Sequence, residues 1–316
     1  MGEIVSSCQL LVANYQFKLT GNGKFAKSLV LSQQLAALMV VCLFFTACFQ
    51  PESGCLDVEA KNFELTADEP CDSDNSATSC PCTYPVLSFG TMNYVVEKLD
   101  YQPDAFYRID TQYIRIQSIQ FYLSGFQFRR TSGEWIGVED TISLVVLNEE
   151  NQLETQLLTD DFLLINQQNS IDIGAIKQHG TFDSLRFVLG IEAPANSTAP
   201  DSITNTSHPL AESEMHTGNQ ETGYIFNRLI FHRDTFSETA SITLNITAAD
   251  FTQQTNLMEL KMPFFYETPI GKDFSLGTLQ VDQAKWFDGI NFVVDTEAIM
   301  IEKIVANTSK IFSVSN

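Results

Sequence analysis

Three side chains with lone pairs suited to a soft metal fall within ten residues of one another: His208, Met215 and His216, in the stretch HPLAESEMH. The chain has only four histidines, so two of them beside a methionine form a pattern that fits copper, which accepts both imidazole nitrogen and thioether sulfur. His232, further along, completes a candidate metal set of His208, Met215, His216 and His232. The plain alternative is a loop whose histidines only make hydrogen bonds and whose methionine fills the core. His179 stands alone and reads as a turn residue. No HExxH, GxSxG or phosphate-binding loop occurs, and no catalytic residue is picked out, so the expectation is a protein that is not an enzyme.

Cysteine is the second group with chemistry to do. Cys55, Cys71, Cys80 and Cys82 lie within 28 residues, and none follows Cys82. An even number in an exported segment reads as two disulfides. Three pairings exist, and Cys80 with Cys82 is disfavoured because one intervening residue closes a strained ring. A zinc site from the same thiols is the rival reading, against which stand the missing CxxC pair and an oxidising compartment. Export itself is read from the 14 apolar residues Leu35 to Cys48, which follow Lys24 and Lys27 and fall short of the roughly 20 needed to span a bilayer. The end of that run, Phe45-Thr46-Ala47-Cys48, resembles the lipobox of bacterial lipoproteins. It implies a signal peptide over 1–47, with Cys42 inside it, and a diacylglycerol on the sulfur of Cys48. An ordinary secretory signal or a short anchor is the alternative. The lipoprotein reading places the chain in the cell envelope, lipid-anchored to the outer membrane on its periplasmic or surface face.

These side chains must be positioned by β-strands. From Pro85 onward, short runs rich in Phe, Ile, Val and Tyr alternate with polar turns. In YIRIQSIQFYLSGFQF the alternation slips phase between Ile116 and Ile119 and again at Ser124-Gly125, and each slip marks a bulge or a turn. Helical periodicity is not sustained for three turns anywhere, and a short helix is expected only around DQAKWFDG, where Trp286 and Phe287 would plug the core and Asp282 and Asp288 would cap. The spacing predicts an all-β, antiparallel β-sandwich or barrel-like domain over 86–316, after a disulfide-stapled module over 48–85. A net charge of −21 repels nucleic acid and favours cationic partners such as metal ions, with a solvated acidic surface as the ordinary alternative. The Asn-x-Ser/Thr sequons at Asn196, Asn205, Asn245 and Asn307 are incidental in a bacterial lipoprotein.

Two resemblances follow. The module, with Gly54, Cys55, Asp57, Ala60, Asn62, Phe63, Ala67, Cys82 and Tyr84, resembles a short Cys-rich module of exported Bacteroidota proteins, and Asp68, Asp72 and Asp74 stand where calcium ligands could converge. The domain carries FYLSGFQF, then LRFVLGIEAPAN, then HPLAESEMHTGNQETGYIFNRLIF, then LQVDQAKWFDGI and an Asn-containing C-terminal strand, VANTSKIFSV. In this order they resemble the MbnP-like copper-binding domain family, with matches at Gly190, Asn196, His208, Pro209, Leu210, Met215, Gly223 and Tyr224. That resemblance implies a secreted or lipid-anchored β-sandwich for copper acquisition or storage, and a di-haem peroxidase partner that oxidises a tryptophan to a kynurenine ligand. Here His216 to Gln220 stand where the family has that tryptophan, and the only two tryptophans are Trp135 and Trp286. Two expectations result: a copper-binding envelope lipoprotein, or a sandwich that has lost the copper site and interacts through its surface with proteins or glycans.

Overall fold

The computed structural model describes residues 52–70, 81–96, 99–166, 170–233, 240–251 and 256–315. The expected signal peptide over 1–47, Cys48, Cys71, Cys80, Asp72 and Asp74 lie outside these residues. The longer strands are β1 (Val86–Phe89), β2 (Thr91–Val96), β3 (Gln112–Arg130), β4 (Thr141–Leu147), β5 (Leu153–Thr159), β6 (Ile171–Ala175), β7 (Thr181–Leu189), β8 (Ile225–His232), β9 (Ile242–Thr247), β10 (Leu257–Glu267), β11 (Thr278–Asp282) and β12 (Phe312–Ser315), with one helix, α1 (Glu297–Asn307). The main sheet has the order β9-β8-β3-β7-β10, all antiparallel, and three short strands also pair with β3. A second sheet runs β12-β11-β2 and on to Leu99–Asp100, with β11 parallel to β2. β1 pairs with β6 in a third, smaller sheet, and β4 and β5 form a separate hairpin. No described helix is long and apolar enough to cross a membrane.

The two larger sheets close on each other as a sandwich. Phe121 on β3 and Phe187 on β7 meet Phe312 of β12 with ring centres 5.8 and 5.2 Å apart, and the 3-10 turn Gln283–Phe287 seals one side. Trp286 and Phe287 there are fully buried, against Phe121 and Phe231 at 6.2 and 5.3 Å. Burying such rings contributes ~2 kcal/mol each and explains why two consecutive large apolar residues are kept in a tight turn. Asp282 caps the turn by accepting from the Ala284 amide at 3.2 Å.

Both phase slips of β3 are bulges within one 19-residue strand. Opposite β8 the register jumps from Ser118 to Ile116, which turns Gln117 outward, and opposite β7 it jumps from Gln127 to Ser124. Gly125, inside the second bulge, has φ +66°, which glycine adopts without strain.

The C-terminal reading is corrected. Residues 305–307 belong to α1, and the strand begins only at Phe312. Ile299, Ile301, Ile304 and Val305 give this segment a strand-like composition, yet Thr296 caps it and Met300, Ile304 and Asn307 form one buried helical face.

The Cys55–Cys82 disulfide is formed. Asp57 accepts from the Tyr84 hydroxyl at 2.9 Å and pairs with Lys177 at 3.4 Å, while Asn62 bonds Pro81 and Thr83. Lys61 meets Asp273 at 2.6 Å. The Asp57–Lys177 and Lys61–Asp273 pairs thus tie the module to the sandwich, while Asn62 and Tyr84 bond within it. Asp68 accepts from the Glu52 amide at 3.3 Å.

Candidate functional site

The matched positions of the domain converge on one loop node. Asn196 accepts from the Tyr224 amide at 3.0 Å and donates to the Thr222 carbonyl at 3.3 Å. Tyr224 donates its hydroxyl to the Leu210 carbonyl at 2.6 Å, and Tyr122 donates to the Pro209 carbonyl at 3.0 Å. Gly223 has φ +72°, and a Cβ there would come 2.2 Å from the Asn196 carbonyl oxygen. Gly190 is likewise forced, because a Cβ would meet the Phe226 ring at 2.2 Å. Leu210, Met215 and Tyr224 are fully buried in a second core cluster with Tyr122, Phe162 and Phe226. Packing and hydrogen bonding therefore account for each of these residues.

The histidines of this loop are oriented by backbone amides. His208 accepts from the Leu210 amide on Nδ1 at 3.1 Å and donates from Nε2 to Asp160 at 2.9 Å, with its side chain only 8% exposed. His216 accepts from the Gly218 amide on Nδ1 at 3.0 Å, stacks edge-on against Tyr224 at 4.8 Å, and has a buried Nε2 with no hydrogen-bond partner. Burial pushes the His216 imidazole below its ordinary value, partly offset by Asp201. An amide N–H can only donate, so Nδ1 of each ring holds the lone pair and Nε2 holds the proton. A metal needs an unprotonated ring nitrogen, and in both rings that lone pair is already spent.

The remaining predicted ligands do not repair this. Met215 faces the core and reaches no solvent. His232 ends β8, paired across from Arg115, whereas His216 bridges Tyr224 just before that strand begins at Ile225. The strand's length puts His232 about 20 Å from His216. Among the described residues no group of three or more His, Cys, Asp or Glu side chains is placed to hold a metal ion. Trp135 lies against Arg186 and Arg129, and Trp286 plugs the core. His179 pairs with Glu59, away from this loop. The donor set present does not fit copper.

A different site lies at the Gly125 bulge. Asp161, 5% exposed, accepts from the Phe126 amide at 2.7 Å and also from the Gly125 amide. Burial pushes its carboxyl up to about 6, helped by the charges of Glu192 and Asp160 and opposed by the two amides. The Glu192 carboxylate covers the glycine closely, 2.7 Å from where a Cβ would stand. Two adjoining cavities of about 200 and 480 Å³ share Gly125, Gln127, Glu192 and Ala193 in their walls. The phase slip at Ser124-Gly125 was the one sequence signal of this place, and neither carboxylate stands out in so acidic a chain.

The model of the family MbnP matches residues 86–303. The chain belongs to the MbnP family. Among solved structures, MbnP from Methylosinus trichosporium is similar to it at 13% identity, covering 65% of this chain and 78% of that chain with a TM-score of 0.39. No curated protein sequence matches it. In this MbnP-family chain His208, Pro209, Leu210 and Tyr224 are joined by hydrogen bonds over a core that includes Leu210 and Met215, and His216 lies against the Tyr224 ring.

Proposed function

We propose that this chain is an exported, lipid-anchored envelope protein of the MbnP family that binds its partners without catalysis and without copper in the His208–His216 loop. The supporting observation is that the ring lone pairs of His208 and His216 both accept backbone amides, from Leu210 and Gly218. A metal on Nδ1 would leave the backbone amide without its acceptor, and a metal on Nε2 would move the ring proton to Nδ1 against that amide, at a cost of roughly 1–3 kcal/mol in either ring. The absence of the tryptophan that the family resemblance pairs with copper supports the same reading, and it removes the basis for a di-haem peroxidase partner. For calcium in the Cys-rich module, Asp68 is hydrogen-bonded to the Glu52 amide, and Asp72 and Asp74 lie outside the described residues.

Copper acquisition is the second reading, favoured by the buried Nε2 of His216, which has no hydrogen-bond partner. Titration of the purified protein with Cu(I) and Cu(II) separates the two. The proposal expects no stoichiometric uptake, or weak uptake unchanged in His208→Ala and His216→Ala. Uptake of one equivalent abolished by His216→Ala would replace it with the copper reading. The envelope placement is checked by mass spectrometry of the expressed protein, which is expected to carry a diacylglycerol-bearing Cys48 at its mature N-terminus.

A further inference from the structure

The hairpin of β4 and β5 is apolar on both faces. Its inner face, with Ile142, Leu144, Val146 and Leu158, packs into the second core cluster. Its outer face pairs Leu153 with Leu147 and Thr155 with Val145 across the strands, and Leu153 and Leu157 there are 60% and 68% exposed. A ribbon with one face in the core ordinarily turns polar residues to solvent, so an apolar outer face marks an interaction surface.

β5 is also an uncovered edge. Among the described residues it pairs with β4 alone, over seven residues in unbroken register. The Asn148 amide donates to the Gln152 carbonyl at 2.9 Å, whereas the Leu147 amide turns away from β5 and donates to the Ser197 hydroxyl at 2.8 Å. Bonded and non-bonded pairs alternate along an antiparallel ladder, so the N–H and C=O groups of Leu153, Thr155 and Leu157 point out of the hairpin. Edges are commonly guarded by lysine, proline or a bulge, and the LETQLLT of β5 has none of these.

We propose that β5 takes up an extended segment of a partner protein as a third strand, one in which apolar residues alternate with lysine or arginine. The apolar side chains of that segment lie beside Leu153 and Leu157, and its basic side chains fall on the opposite face. There a groove of about 520 Å³ is lined by Glu149, Glu150, Glu154 and Gln156, and among the described residues none of these three glutamates is in an ion pair. Backbone hydrogen bonds to the edge supply affinity, and the two unlike faces supply specificity. The net charge of −21 attracts a basic segment and opposes pairing with a second copy of the chain. The inference deepens the reading of a binding protein without catalysis and rests on it for its role. Copper uptake lost in His216→Ala would overturn that reading and leave the binding at β5 unchanged.

The test is calorimetric titration of the full chain with a blocked, seven-residue peptide of alternating lysine and valine. The expected result is saturable binding of one equivalent that weakens as salt is added. Binding is lost when every amide of the peptide is N-methylated, which keeps its charge and removes its donors, and when glutamate replaces lysine. Thr155→Pro removes an outward N–H that β4 does not use, and Leu157→Lys places a guarding charge at an exposed position; each is expected to weaken binding by roughly tenfold or more. Leu157→Lys alone decides the matter if Thr155→Pro does not fold. No binding, equal binding of the N-methylated or the glutamate peptide, or affinity indifferent to Leu157→Lys would each overturn the proposal. A dimer in sedimentation that Leu157→Lys abolishes would also overturn it, by giving the edge to a second copy.

Discussion

Asp161→Asn is expected to stabilise the protein at neutral pH and to do so much less in acid. The carboxyl has a folded value of about 6 against an ordinary 3.8, so the folded state holds this proton more tightly than the unfolded chain. Its contribution to stability is fully present below 3.8 and is lost as the pH rises through 6. The difference between about 6 and the ordinary 3.8, at ~1.4 kcal/mol per tenfold change in proton affinity, gives a penalty of about 3 kcal/mol at neutral pH, of which about 0.5 kcal/mol is already present at pH 4. Asparagine removes the charge and keeps a carbonyl oxygen for the Phe126 amide. The stability gain of the variant over the parent protein should therefore be larger at pH 7.5 than at pH 4 by about 2–3 kcal/mol. Urea unfolding followed by tryptophan fluorescence measures it, because Trp286 lies in the core and Trp135 in a strand paired with β3, so that both report unfolding of the sandwich. All other carboxylates are common to both proteins and cancel in the comparison. A gain of the same size at both pH values would refute the account of Asp161 as a desolvated, uncompensated carboxylate.

Further substitutions probe the loop node. His208→Ala loses the bonds to Asp160 and to the Leu210 amide and is expected to cost about 1–3 kcal/mol in urea unfolding. Gly223→Ala places a methyl against the Asn196 carbonyl at a left-handed φ, and a loss of more than ~2 kcal/mol, or failure to fold, is expected by thermal melting. Met215→Ala empties a fully buried site and should cost about 2–5 kcal/mol. Non-reducing peptide mapping should recover Cys55 linked to Cys82, and a module with two bridges would then link Cys71 to Cys80.

The sandwich was legible because β-strands in a half-buried sheet write their burial into the sequence with period two. The slips in β3 were legible for the same reason, down to the bulge at Gly125. Helix α1 was not, because its buried face needs only Met300, Ile304 and Asn307 while β-branched residues on its other sides imitate a strand. At the candidate site, residue types were visible and their use was not. His208, Met215 and His216 stand close together in the sequence, but whether a lone pair is free depends on which amide points at it, and the Leu210 and Gly218 amides are aimed by 3-10 and loop geometry. Asp161 and Glu192 sit far apart in sequence and join only when the β3 bulge meets the loop after β7.

The central claim is that the loop histidines are locked as Nε2–H tautomers with no lone pair to offer copper. Long-range proton–nitrogen correlation spectra of the nitrogen-15-labelled protein, recorded before and after one equivalent of Cu(I), test it directly. The account predicts that His208 and His216 both show the Nε2–H pattern and that neither changes on adding copper. An Nδ1–H pattern in either ring, or loss of the His216 Nε2 proton on adding Cu(I), would contradict it.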